Sequence, residues 1–338
     1  RPEPLVPVPQ GVAPVTLGHG LAPVLLDALR GRLGAMTDLL VRLVEAVAPS
    51  DVPASLADVQ RVFAAALAER GFRARRLSGR ASGGVVFARP ADRARGSAFQ
   101  VLMGHLDTVW PVGPLETMPI RIEDGRFHGP GSFDMKAGLV QALHALDVLE
   151  EVGRPLDVTP VFFVNTDEEI GSHDSTRHIA RLARAADRVF VLEPAMGPEG
   201  RLKTSRKGLG RFTVTVTGQA AHAGLEPGEG ASAILELSNV IQQLFALNDL
   251  ERGITVNVGM IDGGVRPNVV APESTAVADV RVCTHEDAER ITKAIHDLAP
   301  STPGTEITVD GRIGRPPMEP TPANRVLWSM ARDAATTL

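Results

Sequence analysis

Four segments of the 338-residue chain place an imidazole or a carboxylate directly after an apolar run or in a glycine-bounded turn. In residues 99–111 the run FQVLM leads into GHLDTVWP, with His105 and Asp107. GPGSFDMKAG sets Asp134 in a turn ahead of an apolar periodic stretch. NTDEEIGS crowds Asp167, Glu168 and Glu169 after another apolar run, and VFVLEP delivers Glu193 after a third. Such groups share one chemistry, the coordination of divalent cations. An imidazole can ligate through one nitrogen while a nearby carboxylate accepts its other N–H and fixes the tautomer. A carboxylate has two oxygens, so Asp134 could bridge two cations. Three adjacent acids repel one another unless a cation neutralises them or they diverge into water. Each segment also has a plain structural reading: a loop histidine, a helix N-cap aspartate, a solvated acidic turn, a paired acid at a strand end. One dinuclear centre accounts for all four together.

Such a centre requires elements that carry distant residues to one place. Val85–Ala88 and Phe99–Met103 look like strands, and Val161–Val164 and Val189–Leu192 are short apolar runs of the kind buried in parallel sheets. Helical spacing marks 34–48, through Met36, Leu39, Leu40, Leu43 and Val47, and 137–150, through Leu139, Leu143, Leu146 and Leu149. A helix over 56–70 would have Ser55 as its N-cap and Gly71 beyond its C-terminus. Strands alternating with helices predict an α/β sandwich, and open sheets of this kind bind ligands at the carboxyl ends of their strands.

The pattern changes near residue 205. RFTVTVTG alternates like a half-exposed strand, and a helix with Ile234, Leu237, Ile241 and Leu244 follows. Two strands over 254–261 and 275–283, a helix through Ala288, Ile291, Ile295 and Leu298, and the strand EITVD complete a β-α-β-β-α-β order. That order is the split ferredoxin-like unit. The expected division is an extended arm over 1–30, a catalytic domain over 31–204 and 315–338, and an inserted lid over 205–314. Residues 323–338 read as a helix with no stop signal.

Composition narrows the classes. A net charge of −5 gives no basic footprint for nucleic acid. The single cysteine, Cys283, excludes a disulfide framework and a thiolate-rich zinc site. No apolar run reaches the length of a membrane span, and the proline-rich start does not read as a signal peptide. A cytoplasmic location is expected, with export left open because the chain begins at Arg1 rather than Met.

The segments GHLDTVWP, FDMKAGLVQALHAL, TDEEIGS, LEP, GQAAHAG and RPNVVA, in this order and spacing, resemble the co-catalytic zinc peptidase and deacylase family. That family includes glutamate carboxypeptidases, acetylornithine deacetylases and succinyl-diaminopimelate desuccinylases, and the likeness is greatest to the carboxypeptidase G type. The resemblance implies a zinc-exopeptidase-like α/β/α catalytic domain with a lid that pairs homodimers. It implies two zinc ions, with manganese or cobalt as alternatives. His105, Asp134 and Glu193 would hold one, and Asp134, Glu169 and a later histidine the second. Asp107 would orient His105, Glu168 would be the general base, and the Asp134–Met135 bond would be cis. His222 in the lid would reach the neighbouring subunit's site, while Asn268 and Arg281 would contact substrate. Arg281 would grip a free carboxylate through two parallel hydrogen bonds.

The implied activity is hydrolysis of an amide next to a free carboxylate in a small peptide or N-acyl amino acid, releasing C-terminal glutamate or a similar residue. An N-acyl amino acid deacylase and a catalytically incomplete binding relative are the alternatives. His128, His144 and His173 match no ligand position, and 323–338 contains no histidine. The resemblance therefore expects the last ligand beyond Leu338, and expects a chain ending there to be inactive or weak.

Overall fold

The computed structural model describes residues 21–337, which form two compact units, 21–200 with 333–337 and 201–332. The first unit opens with helices α1 (Leu21–Gly31), α2 (Leu33–Glu45) and α3 (Leu56–Ala68). Strands β1 (Phe72–Leu77), β2 (Val85–Pro90) and β3 (Phe99–His105) follow, then a short helix α4 (Pro114–Thr117) and a hairpin of β4 (Arg121–Glu123) and β5 (Arg126–His128). Helix α5 (Ala137–Glu151), β6 (Thr159–Asn165), α6 (Thr176–Ala185) and β7 (Arg188–Val191) complete it.

The five-stranded sheet runs β1-β2-β6-β3-β7. β3 is parallel to both β6 and β7, as the apolar runs of β6 and β7 predict, but β7 lies at the sheet edge with Phe190 and Val191 exposed rather than buried. β2 instead pairs antiparallel with β6 and β1, so the sheet is mixed. One face packs Leu43, Phe63, Leu139 and Leu143 of α2, α3 and α5 against Val86, Leu102 and Phe162. The other face packs Ile179 and Leu182 of α6 against Val101 and Phe163. The α/β/α sandwich thus buries both faces of its central strands.

Two local expectations are corrected. The extended reading of 1–30 fails over its described part, because 21–31 is helical; residues 1–20 lie outside the described residues. Pro23 falls in the first turn of α1, where its missing N–H costs no intrahelical bond. Ser55 does not cap α3. Its ψ of −23° is already helical, and its hydroxyl donates to Val52 O at 2.8 Å. Gly71 does take up the left-handed conformation beyond α3, with φ 72°.

The second unit is a four-stranded antiparallel sheet of order β11-β8-β10-β9: β8 (Gly208–Thr217), β9 (Thr255–Gly263), β10 (Glu273–Val282) and β11 (Glu306–Arg315). Helices α7 (Ala233–Ala246) and α8 (His285–His296) cover one face through Val240, Leu244, Ile291 and Ile295. This is the β-α-β-β-α-β order predicted. The final helix, α9 (Pro322–Thr337), is present, but residues 315–332 group with this antiparallel unit rather than with the α/β sheet. Among the described residues, no helix is long and apolar enough to cross a membrane.

Glu236 of α7 fixes the loop ahead of β11. It is fully buried and accepts Ser301 N at 3.0 Å, Ser301 Oγ at 2.9 Å and Thr302 N at 2.6 Å. Burial raises its pKa, but these donors outweigh burial and lower it from 4.5 to about 2. Its contribution to stability is therefore complete above about pH 5 and is lost as pH falls through about 2. Glu236→Ala should cost about 2–4 kcal/mol at neutral pH by stranding buried N–H groups. Urea unfolding at pH 7 and pH 3 checks this: the gap from wild type should narrow in acid.

Candidate metal centre

Because β3, β6 and β7 run parallel, their carboxyl ends open on one sheet edge. The register pairs His105 with Asn165 and Met103 with Val191. Leu192 N donates to Met103 O at 2.9 Å, so Glu193 arrives level with His105. Asp134 comes from the turn that starts α5. That turn reaches the same edge because Gly138 has no side chain: a Cβ there would lie 2.0 Å from Leu192 O. An alanine at 138 would force the start of α5 away from the end of β7, and Asp134 away from Glu193. The Asp134–Met135 bond is cis, as the resemblance implied.

Three donors result. His105 Nε2 lies 3.2 Å from Asp134 Oδ1 and 3.4 Å from Glu193 Oε1, with the ring 1% exposed. The ligating atoms of His105, Asp134 and Glu193 all fall within 4.8 Å of one another. His105 Nδ1 lies 3.0 Å from the Asp107 carbonyl oxygen and 3.4 Å from Asp107 Oδ1. Asp107 therefore holds the ring mainly through its backbone and secondarily through its carboxylate. With Nδ1 engaged there, Nε2 is the nitrogen aimed at the two carboxylates, and in the absence of a cation its N–H donates to them. One imidazole nitrogen and two carboxylate oxygens aimed at one point suit zinc, manganese or cobalt.

Asp107 does more than orient the ring. It is 1% exposed; Oδ2 accepts Ser50 Oγ at 2.8 Å and Glu169 N at 3.2 Å, and Oδ1 accepts Glu168 N at 3.4 Å. Burial raises its pKa, but His105, Ser50 and the Glu169 N–H outweigh burial and hold it below the usual carboxylate range. Lys136 is equally buried beside it; burial pulls its ammonium down to about 8, and the Asp107 charge acts against that fall. Neither Ser50 nor Lys136 is singled out by the sequence. Ser50 sits in a loop with no periodic signal, and Lys136 is masked by the motif around Asp134.

The three acids after β6 separate. Asp167 is buried and turns away from the centre: it accepts Asn165 Nδ2 at 3.0 Å, Asp174 N at 2.8 Å and Ser175 N at 3.1 Å, anchoring the approach to α6. Glu168 is exposed and Glu169 half-buried. Burial first, then the Glu193, Asp107 and Asp134 charges, raises the pKa of Glu168; burial, Asp134 and Glu168 do the same for Glu169. Glu169 is outside the three-residue group that converges on one point. His144 is buried in α5 beside Asp147, and His173 packs near Gly171; neither reaches the centre.

The antiparallel unit brings His222 and Asn268 together. Ala223 N donates to Asn268 O at 3.1 Å, and His222 bridges Val269. His222 Nδ1 accepts Gly224 N and Leu225 N, each at 3.2 Å, so the ring proton resides on Nε2. Arg281 is exposed on β10, its guanidinium donating to Asp279 at 2.8 Å and 3.3 Å.

Residues 204–317 match the family model of the M20 peptidase dimerisation domain. The chain is 33% identical over 227 residues to carboxypeptidase G2 of Pseudomonas sp. (strain RS-16), covering 66% of this chain and 54% of that protein. It is 30% identical over 216 residues to acetylornithine deacetylase of Myxococcus xanthus, covering 60% and 54%. The chain is thus similar to M20 peptidases and carries a match to their dimerisation domain. It spans about half the length of the curated relatives it matches. Its fold is that of aminopeptidase PepT from Bacillus cereus ATCC 10987, with a TM-score of 0.70 at 20% identity over 86% of this chain and 79% of that one. The dimerisation-domain match falls on the antiparallel unit, while the candidate donors lie at the ends of the parallel strands and in the turn before α5.

Burial opposes charge on the His105 ring, but Asp107, Asp134 and Glu193 outweigh it and push its pKa up to about 12. A cation must therefore displace a proton from Nε2. Calorimetry in buffers of different ionisation enthalpy should show about one proton released per zinc bound, and affinity falling about tenfold per pH unit as pH drops. A pH-independent affinity would mean that His105 does not ligate.

Proposed function

We propose that the complete protein is a metal-dependent exopeptidase that cleaves an amide next to a free carboxylate, releasing glutamate or a similar residue. The convergence of His105 Nε2, Asp134 Oδ1 and Glu193 Oε1, with Glu168 beside them, carries this reading. The match to carboxypeptidase G2 supports the carboxypeptidase activity. The match to acetylornithine deacetylase favours a second reading, removal of an N-acyl group from an amino acid. Both use the same centre and differ in the substrate side.

When bound, a divalent cation supplies Lewis acidity to the scissile carbonyl and to water. Two cations are proposed, with Asp134 shared and Glu169 serving the second. The chain's own groups do the rest. His105 is oriented by Asp107 so that its lone pair faces the cation. Glu168 has its pKa raised by burial and by neighbouring carboxylates, which makes it a stronger base than a free glutamate. It takes a proton from the attacking water and returns it to the leaving amine. His222, with its proton on Nε2, donates to the oxygen that gains charge. Asn268 holds the substrate beside it, and Arg281 leaves Asp279 to grip the substrate carboxylate. The dimerisation-domain match supports a homodimer in which His222 serves the partner's site.

Two assays test this on the complete protein. Release of glutamate from N-acyl-glutamates should exceed release of ornithine from acetylornithine; the reverse order favours the deacylase. Glu168→Ala should retain metal and lose about 10³-fold or more in kcat, whereas Glu169→Ala should lose metal. Equal metal loss in the two variants would contradict the division of roles.

A further inference from the structure

Ser50 lies in the loop between α2 and α3, 57 residues before Asp107 in the chain. The loop is tied to the strand end beyond β3: Ser50 N donates to Thr108 O at 3.1 Å, Thr108 N donates to Ala48 O at 2.8 Å, and Pro49 bridges Thr108. The Ser50 side chain is thereby held at 4% exposure against Asp107. Its hydroxyl has one proton and two acceptors in reach, Asp107 Oδ2 at 2.8 Å and Thr108 O at 3.1 Å. The ionised carboxylate is nearer and attracts the proton more strongly.

That hydrogen bond is the shortest of those reaching the Asp107 carboxylate. The others come from Glu169 N at 3.2 Å, Glu168 N at 3.4 Å and His105 Nδ1 at 3.4 Å. Carboxylate torsions are soft. With Ser50 Oγ removed, Oδ2 keeps only the Glu169 N–H, and rotation of the group shifts every partner at once. Those partners set the His105 ring and the backbone of both glutamates.

We propose that Ser50 is a positioning residue for the metal centre, acting through Asp107 on His105, Glu168 and Glu169. The proposal rests on the metal-centre reading above. It requires no contact between Ser50 and a cation, only that outer partners tune the affinity of ligands they orient, an effect of about 10- to 100-fold in metal sites.

The test measures cobalt and zinc affinity by competition with a chromophoric chelator, alongside thermal unfolding of the same proteins. Ser50→Ala should bind cobalt and zinc about 10- to 100-fold more weakly than wild type. Ser50→Thr, which keeps the hydroxyl, should recover most of that affinity. Ser50→Val, with the shape of threonine and no hydroxyl, should not. The Thr–Val pair decides the matter even where Ser50→Ala folds poorly, because both carry the same extra bulk. A serine that only secures its loop would lower the melting temperature and leave affinity unchanged; that result overturns the positioning role while the metal centre stands. Equal losses in the Thr and Val variants overturn it too. A wild-type chain that takes up neither metal overturns the metal-centre reading and this proposal together.

Discussion

The carboxylate of Asp107 sits at 1% exposure and is surrounded by donors from three stretches of chain: the loop after α2, the end of β3 and the turn after β6. A buried charge of this kind is costly unless its acceptor positions are filled, and here they are. The geometry of the centre follows from that requirement. His105 is held from its far nitrogen, the Glu168–Glu169 turn is held by its N–H groups, and the buried Lys136 side chain interacts electrostatically with Asp107. The parallel register of β3, β6 and β7 brings the elements to one edge, and Asp107 sets the side chains there.

Much of this was legible in the sequence, for a physical reason. Candidate ligands at the ends of apolar strands leave an abrupt boundary between apolar and polar residues, and FQVLM-GHLD, VFFVN-TDEE and VFV-LEP all carry it. The alternation of RFTVTVTG and the helix stripes around it marked the antiparallel unit in the same way. The losses fall where the signal is not local. Nothing in the spacing of Asp167 distinguishes it from Glu168, yet its backbone turns it toward Asn165 and the start of α6. Ser50 has no neighbours that announce a role, because its partner lies 57 residues on. Ser55 had the right residue type for a cap but the wrong ψ, and Pro23 hid a helix because it falls where proline is harmless. The antiparallel pairing of β2 is a matter of connectivity that its apolar run does not encode.

The two units divide the chemistry that the proposed function needs. The α/β sheet would supply the cation ligands and a base of raised pKa; the antiparallel unit would supply a histidine whose Nδ1 accepts two backbone N–H groups. Under the proposed function the same constellation would serve a carboxypeptidase or a deacylase, and substrate choice would rest on groups such as Asn268 and Arg281 rather than on the centre itself.

The claim on which all of this depends is that one cation binds where His105 Nε2, Asp134 Oδ1 and Glu193 Oε1 converge. A crystal of the protein grown with zinc, with anomalous difference maps collected on both sides of the zinc absorption edge, tests it directly. The account predicts a peak at bonding distance, about 2.0–2.2 Å, from those three atoms. Zinc bound only elsewhere on the surface, with the three side chains unmoved, would contradict it.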